Sequence, residues 1–411
     1  MDDLTSQGSF NSSWIPPNMS PSGGESKPLI SVLSVAKDNT KSAALRLAPY
    51  RLWLRCSPRV WAIAILLIGL VGIIHIWLTE TFVVKMGSAR TTSAISAVHE
   101  SPDTILRFMS YNVFVRPIGI GLGDYKNQRL NDLLEDAGMF DVVCFQELFS
   151  TSGSRKTNFL RKLGTAYGLK YQVSSPIPGL KGLFSWPPKI IDGGLVIASR
   201  YRILETDYRA FSNAQFESID FIVAKGVLYA RVSLLHSVNV FVHVFTTHMQ
   251  ANNGLDMDFS GTRTYQLEEL ARFISKKTSD DPSGPIILAG DFNVNSRNGP
   301  NDPSSSPKYA TMMEILQTAR PQFPFVDLLF KANGNKHPVT SAGGLKGDTQ
   351  KNEGLDYIFF SPGDKQFLNS SLSIQEDWKS IGVKPLRVSG RPYQTLSDHY
   401  SVVATFNLGH K

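Results

Sequence analysis

The distribution of apolar and polar positions predicts one membrane-spanning helix near the N-terminus. Residues 60–78 read VWAIAILLIGLVGIIHIWL, nineteen consecutive residues without a formal charge. As a helix this segment would be about 28 Å long, close to the hydrocarbon thickness of a bilayer. Trp61 and Trp77 lie near its two ends, as is typical of membrane interfaces. The pattern therefore favours a transmembrane helix over a buried core helix.

The flanks of this segment predict its orientation. The basic residues that precede it closely are Arg46, Arg51, Arg55 and Arg59, whereas Lys85 and Arg90 follow it. By the positive-inside rule the N-terminus is cytosolic, and the C-terminal part is lumenal or extracellular, at an endomembrane or the plasma membrane. A cleaved signal peptide is disfavoured because the apolar run begins about 60 residues into the chain.

Composition divides the rest of the chain into a tail, a stalk and a folded part. Residues 1–59 are rich in Ser, Pro and Asn, which predicts a disordered cytosolic tail. Residues 79–103 are interpreted as a stalk. After position 103 the pattern becomes regular and predicts one α/β domain at 104–411, in which strands outnumber helices and two packed sheets are expected.

The apolar periodicity of this domain places its elements. Strands are predicted at 105–111, 141–145, 194–199, within 221–235, and at 238–247, 285–289, 355–360 and 400–406. Helices are predicted at 126–137, 155–167, 262–277 and 308–318. The chain as a whole is 42% hydrophobic and 19% charged, which excludes a fully disordered protein.

Charge and cysteine content exclude further classes. Residues 101–411 hold 33 basic and 29 acidic residues, a small excess that does not by itself indicate nucleic-acid binding. The two cysteines, Cys56 and Cys144, cannot form a disulfide framework or a cysteine-rich zinc site.

Polar residues follow nearly every predicted strand. They are Asn112, Gln146 and Glu147, His248 and Gln250, and Asp291 and Asn293, while Asp398 and His399 precede the last strand. Because strand ends are where α/β proteins assemble sites, this set is a candidate active site. Each residue taken singly is explained more simply by a turn or a solvated surface. His243 and His248 have opposite parity in their strand, so only one can face the site, and the strand-end position favours His248.

Two histidines with carboxylates and amides suit metal-assisted hydrolysis of a phosphoester. Mg²⁺ prefers oxygen ligands and keeps several waters, which fits Glu147 and Asn112. One histidine can accept a proton from the attacking water while the other stabilises the leaving alkoxide. The sequence contains no GxxxxGK, HExxH, GxSxG or CxxC motif that would indicate a different chemistry.

The ordered set of motifs resembles the endonuclease/exonuclease/phosphatase superfamily. The motifs are Asn112, QE at 146–147, DGG at 192–194, THMQ at 247–250, GDFN at 290–293, LDYIFF at 355–360 and SDHY at 397–400. Over about residues 104–408 the chain looks like the neutral sphingomyelinases. This resemblance implies a four-layer α/β sandwich of two central mixed sheets flanked by helices. It also implies phospholipase C-type cleavage that depends on Mg²⁺, with Mn²⁺ as the alternative ion.

The resemblance implies a metal site and a phosphoryl-binding group. Glu147 would bind the metal, with Asn112 nearby. Asp291 and Asn293 would orient the water and the phosphoryl oxygens.

The resemblance further implies the proton-transfer groups. His399, supported from the Asp398 segment, would be the general base. His248 would face the leaving group as an electrostatic stabiliser or acid, and Asp192 would orient His248.

The implied substrate is sphingomyelin in a lipid bilayer, cleaved to ceramide and phosphocholine. The alternatives are an inositol phosphosphingolipid, a nuclease of the same superfamily, and a catalytically inactive lipid-binding protein. The small charge excess and the predicted anchor disfavour nucleic acid as a partner. The sequence does not indicate an oligomeric state. The Gly-, Pro- and aromatic-rich segment 174–191 is either a packed surface loop or a segment that touches lipid or gates the site.

Overall fold

The computed structural model describes residues 105–117, 123–150, 154–234, 237–252, 258–282, 284–341, 343–346, 352–363, 372–373 and 381–408. The predicted tail (1–59), membrane span (60–78) and stalk (79–103) lie outside these ranges, so they stay predictions. Within the described ranges, none of the helices has both the length and the apolar character needed to span a bilayer.

Fifteen strands are present in the described residues. They are β1 (Ile105–Val115), β2 (Val142–Leu148), β3 (Tyr171–Ser174), β4 (Val196–Ser199), β5 (Ile203–Ala210), β6 (Gly226–Leu234), β7 (Ser237–His248), β8 (Ile286–Asp291), β9 (Arg297–Gly299), β10 (Asp302–Ser305), β11 (Val326–Asp327), β12 (Asp356–Ser361), β13 (Leu372–Ser373), β14 (Gly382–Lys384) and β15 (Ser401–Leu408). The α-helices are α1 (Lys126–Gly138), α2 (Arg155–Tyr167), α3 (Leu180–Leu183), α4 (Ser260–Lys277), α5 (Pro307–Ala319) and α6 (Leu328–Ala332).

Two mixed sheets form the centre of the domain. The first has the strand order β13-β15-β1-β2-β4-β3, with β14 also paired to β15. The second has the order β11-β12-β8-β7-β6-β5. In each sheet one central pair is parallel, β1 with β2 and β7 with β8, and the neighbouring pairs are antiparallel.

The buried apolar residues form three separate core clusters, and these hold the two sheets and their flanking helices together as stacked layers. One cluster lies between the sheets and includes Phe108, Ile197, Val244 and Ile358. A second packs α1 and α2 on the outer face of the first sheet, and a third packs α4 and α5 on the outer face of the second. The prediction of two mixed sheets flanked by helices is confirmed.

Strand alternation decides which side chains lie between the sheets. In β7, Val242 and Val244 belong to the core between the sheets, whereas Phe245 packs against α4. Because side chains alternate along a strand, His248 shares the inner face with Val244, and His243 lies on the outer face. His243 contacts Tyr229 Oη at 2.9 Å and Asp281 Oδ2 at 3.0 Å there, as expected for a buried histidine with partners.

Most predicted elements are present with ends shifted by a few residues, and α2 has the predicted bounds. The strand predicted within 221–235 is β6, which lies inside that range. A 3₁₀ turn occupies Ile219–Ile222, and the strand begins only at Gly226. The short edge strands β3 and β11 have too few alternating positions to stand out from the sequence. The eight-residue edge strand β5 was also not predicted, and none of its residues is fully buried.

Candidate active site

The inner-face side chains at one end of the sandwich converge on a polar cluster. His248 ends β7 and pairs in register with Asp291 at the end of β8, which in turn pairs with Asp356 at the start of β12. In the first sheet, Asn112 of β1 pairs with Gln146 of β2. The same parity that places apolar residues between the sheets therefore places these five polar residues there, at the end of the core.

Asn112 joins the two sheets through a pair of carboxylates. Its Nδ2 donates to Glu147 Oε1 at 3.2 Å and to Asp291 Oδ2 at 2.9 Å. Its own backbone oxygen accepts a 2.6 Å hydrogen bond from Ser397 Oγ. These bonds hold Glu147 and Asp291 at the same amide nitrogen.

Glu147 reaches the site because its backbone breaks the strand alternation. Its parity in β2 is opposite to that of Gln146, but its φ of 56° lies in the left-handed region. A non-glycine residue there is strained, and such strain is concentrated at functional sites. Glu147 Oε1 lies 4.0 Å from His248 Nε2, and 17% of the Glu147 side chain is exposed. Glu147 is therefore the carboxylate that faces the opening of the cluster.

Burial destabilises the charged form of three carboxylates in the cluster. Burial, with the charge of Asp398, raises the pKa of Glu147 to about 7. Burial also raises the pKa of Asp291, with the charge of Asp356 acting in the same direction. The pKa of Asp398 is raised mainly by burial. Raised carboxyl pKa values mean that the anions lack enough nearby positive charge.

His399 is held by Asp356. His399 Nδ1 lies 2.8 Å from Asp356 Oδ2, and His399 Nε2 lies 3.8 Å from Asp291 Oδ2. Burial favours neutral His399, but attraction to Asp356 and Asp291 outweighs it and raises the pKa of His399 well above its usual value. Asp356 is itself held by Thr340 Oγ1, which accepts from its backbone N at 3.0 Å.

The carboxylate that orients His399 is therefore Asp356 and not Asp398. Adjacent residues point apart, and Asp398 Oδ1 accepts a 3.2 Å hydrogen bond from Ser397 Oγ. Asp398 influences the site through its charge, as the raised pKa of Glu147 shows.

His248 is paired with a buried lysine. Lys225 Nζ lies 3.0 Å from His248 Nε2, 2.8 Å from the oxygen of Met249 and 2.8 Å from Asp220 Oδ2. His248 Nε2 is also 3.5 Å from Asp291 Oδ2. Burial, Lys225 and His399 together hold the pKa of His248 well below its usual value. The lowered pKa favours the neutral imidazole, with the Lys225 side chain beside it.

Asn293 follows Asp291 in a tight turn. Its φ is 51°, its backbone N donates to Asp291 Oδ1 at 2.9 Å, and its Nδ2 donates to the oxygen of Met249 at 3.1 Å. Asn293 thus fixes the Asp291 carboxylate and the backbone next to His248.

Asp192 is not brought to His248. Its Oδ1 accepts from Ser150 N at 2.9 Å, and its Oδ2 contacts Ser150 Oγ at 3.2 Å and Lys156 Nζ at 3.3 Å. Leu148 N also donates to the oxygen of Gly194 at 2.9 Å. Asp192 therefore ties the segment after Glu147 to the DGG turn, and it has no contact with His248 among the described residues.

Three residues of the site and its surroundings were not predicted from the sequence: Asp356, Lys225 and Lys156. Asp356 begins a strand, within a motif of the resemblance, and its parity matches that of Ile358 in the core between the sheets. That parity was the signal that could have found it. Lys225 and Lys156 lie outside the quoted motifs, and only their burial distinguishes them, at 4% and 6% exposed.

The residues of the cluster fit a metal ion. Donor atoms of Asp291, Asp356 and His399 lie within 4.8 Å of one another. Asp356 Oδ1 is buried without a hydrogen-bond partner in the described structure, so it retains a free acceptor. Oxygen donors with excess negative charge are what a hard divalent cation requires.

Comparison with known proteins identifies the family. The model of the Endonuclease/Exonuclease/phosphatase family matches residues 109–399, and the chain belongs to this family. A sphingomyelinase of Dictyostelium discoideum is 30% identical over 333 residues, which cover 64% of this chain and 70% of that protein. A sphingomyelin phosphodiesterase 5 of Danio rerio is 30% identical over 169 residues, which cover 37% of this chain and 28% of that protein.

The fold is also found among solved structures. The crystal structure of sphingomyelinase C from Streptomyces griseocarneus matches with a TM-score of 0.51 and 20% identity, over 75% of this chain and 100% of that chain. The predicted resemblance to sphingomyelinases is confirmed by these relatives.

Proposed function

We propose that the protein is a sphingomyelin phosphodiesterase that uses Mg²⁺ and hydrolyses sphingomyelin to ceramide and phosphocholine. The similarity to the Dictyostelium sphingomyelinase supports the enzyme class and the substrate. One observation carries the hydrolytic reaction, which is that Glu147, His248, Asp291 and His399 meet in one cluster at the end of the inter-sheet core.

Mg²⁺, when bound, would neutralise phosphoryl oxygens and favour the attack of water. The residues available to hold it are Glu147, Asp291 and Asp356, with Asn112 fixing the first two. Mn²⁺ accepts the same oxygen and nitrogen donors and is the alternative ion.

His399 is positioned to act as the general base. The carboxylates of Asp356 and Asp291 favour the protonated imidazole, and a cation bound to them would oppose that preference. In the neutral form, a hydrogen bond from Nδ1–H to Asp356 leaves the lone pair of Nε2 to accept a proton from water. The water oxygen forms a bond to phosphorus, the bond between phosphorus and the ceramide oxygen breaks, and the water proton passes to His399. Asn293 holds the Asp291 carboxylate through its backbone N, and Asp291 lies beside the Nε2 atom of His399 that would accept the proton.

The leaving ceramide oxygen requires positive charge. His248 is neutral, but Lys225 Nζ lies 3.0 Å from it and can share a proton with it. We assign stabilisation of the leaving oxygen to the His248–Lys225 pair, because the Lys225 ammonium lies within hydrogen-bond distance of His248.

The decisive experiment measures headgroup release. The full chain in mixed detergent–lipid micelles with Mg²⁺ is expected to release phosphocholine from sphingomyelin faster than it cleaves inositol phosphorylceramide or lysophosphatidylcholine. Asp291→Asn should abolish release, whereas Asp280→Asn, an exposed aspartate outside the cluster, should leave it unchanged. If folded protein released the headgroup from none of the three lipids, the proposal would be excluded. If it cleaved inositol phosphorylceramide faster than sphingomyelin, the proposed substrate would be the inositol lipid instead.

We also propose that residues 60–78 anchor the enzyme in the membrane with the tail in the cytosol. The uncharged length and the arginines before the segment support this orientation. In sealed microsomes the catalytic domain should resist added protease until detergent is present. Digestion of the domain in intact microsomes would reverse the orientation.

A further inference from the structure

Two surface loops carry most of the exposed apolar side chains of the described chain. Eleven large apolar side chains are exposed in that part, and six of them lie within residues 180–186 and 216–219. These six, called here the apolar surface, are Leu180, Leu183, Phe184, Trp186, Phe216 and Ile219. Isolated exposed apolar residues are common, but such a concentration marks a contact surface.

The two loops form one continuous surface. The rings of Trp186 and Phe216 both contact the ring of Phe221, at centroid distances of 5.7 and 5.0 Å. The backbones pair as well, since Ile190 N and Ile191 N donate to the oxygen of Ile222 at 2.8 and 3.1 Å. Side chains from both loops therefore face solvent together.

The exposure is imposed by a structured backbone. Ser185 Oγ lies 2.7 and 2.8 Å from the oxygens of Gly182 and Pro187, within reach to donate to either, and Lys189 N donates to Gly182 O at 2.8 Å. A Cβ at Gly182 would lie 2.7 Å from the backbone oxygen of Lys189, so this turn requires glycine. Phe184 and Trp186, each 83% exposed, project from an ordered turn.

The apolar surface carries no net charge, and this indicates which kind of partner it fits. In residues 176–191 and 212–223 the exposed formal charges are Lys181 and Glu217, which have opposite signs, whereas Lys189 and Asp220 are buried. A surface with aromatic and aliphatic side chains and no net charge matches the interface of a zwitterionic bilayer. An anionic membrane or a nucleic acid would instead favour clustered basic residues.

The apolar surface adjoins the active site along the chain. Lys225 lies two residues after the second loop, 212–223, and its Nζ lies 3.0 Å from His248 Nε2. Ile219 and Phe221 flank Asp220, which pairs with Lys225 at 2.8 Å. Asp192 directly follows the first loop, 176–191, and accepts a hydrogen bond from Ser150 in the segment that follows Glu147. A ligand bound on this face would therefore be next to the catalytic cluster.

We propose that the apolar surface docks the catalytic domain on a zwitterionic phospholipid bilayer, so that a lipid phosphodiester can enter the site from that membrane. The docking itself is testable without catalysis, and its benefit for turnover rests on the proposed function.

Depth-dependent quenching tests the docking. Phe184→Cys and Phe216→Cys are made in the full chain with Cys56→Ser; Cys144 is fully buried and does not compete for the label. Each variant carries an environment-sensitive fluorophore and is reconstituted in phosphatidylcholine vesicles that contain brominated lipid. Tyr171→Cys is the matched control, because Tyr171 is an exposed aromatic at the end of β3 away from the loop.

Quenching at positions 184 and 216 should exceed that at 171 at least threefold, and equal quenching at all three overturns the proposal. Labels that become shielded as protein concentration rises in lipid-free detergent would mean that a second copy covers the surface, which also overturns it. These outcomes do not depend on whether sphingomyelin is hydrolysed.

Kinetics test the consequence for turnover. Combined Phe184→Ser and Phe216→Ser should lower kcat/KM on sphingomyelin vesicles at least tenfold and leave hydrolysis of monomeric short-chain sphingomyelin unchanged. Tyr171→Ser should change neither rate. An equal loss on both substrates would indicate a damaged site and contradict a docking role.

Discussion

His399 and Asp356 are 43 residues apart in the chain, yet their side chains meet at 2.8 Å between Nδ1 and Oδ2. The contact exists because β12 begins beside the end of β8, while His399 precedes β15 in the opposite sheet. The pair therefore spans both sheets and fixes which imidazole nitrogen faces the cluster.

The first prediction concerns this pair. Asp356→Asn keeps the shape but no longer holds His399 as the Nδ1–H tautomer, so kcat should fall at least about a hundredfold. The measurement is phosphocholine release at saturating Mg²⁺, which separates a lost base from weakened metal binding. Full recovery of the rate at high Mg²⁺ would contradict the orienting role, and Asp280→Asn is the exposed control.

A second prediction concerns Lys225. Lys225→Met removes the cation beside His248, so kcat should fall about tenfold to a hundredfold. It also leaves Asp220 buried without its ion partner, which should lower the free energy of unfolding by about 3 kcal/mol. Adding Asp220→Asn should restore much of the stability but not the activity. Recovery of both would make Lys225 a purely structural residue.

Lys156 and Asp192 give a third prediction. Asp192→Asn or Lys156→Met should loosen the segment after Glu147, raising the Mg²⁺ concentration needed for half-maximal activity more than it lowers kcat. Activity titrated against Mg²⁺ measures both quantities. A fall in kcat with unchanged Mg²⁺ dependence would instead favour the sequence-based role of Asp192 in orienting His248.

A fourth prediction concerns metal removal. A chelator should abolish activity, and Mg²⁺ or Mn²⁺ should restore it, because the cluster carries uncompensated carboxylates. Since the ion would bind only the folded protein, millimolar Mg²⁺ should also raise the unfolding temperature. Asp291→Asn should reduce that thermal shift, whereas activity that persists after chelation would contradict the metal requirement.

The pH dependence of stability gives a fifth prediction, at a residue outside the site. Burial raises the pKa of Asp327 from 3.8 to about 6, although its carboxylate accepts hydrogen bonds from Phe330 N and Tyr309 Oη. The folded state therefore binds the proton more tightly than the unfolded state. The resulting stabilisation is complete below about pH 4 and is lost as the pH rises through about 6, amounting to about 3 kcal/mol.

Asp327→Asn mimics the protonated acid and removes this titration. Chemical denaturation from pH 4 to pH 7 should show the wild-type free energy of unfolding falling relative to that of the variant. Parallel curves for the two proteins would contradict a raised pKa.

Local pattern was enough to predict the two-sheet architecture and the strand ends. Alternation in β7 separated His248 from His243, and the polar residues after β1, β2 and β8 marked the end of the sandwich where the cluster lies. Short edge strands were missed because two to four residues carry little periodic signal.

What the sequence by itself determined is which polar residues lie at the ends of buried strands, and thus Asn112, Glu147, His248, Asp291 and His399 as a set, because burial and alternation are visible in the local spacing of apolar residues. Only the tertiary structure decided their partners: Asp356 rather than Asp398 for His399, Lys225 rather than Asp192 for His248. The reason is physical, since these contacts depend on strand register and on the packing of one sheet against the other, and neither is encoded in the spacing of neighbouring residues.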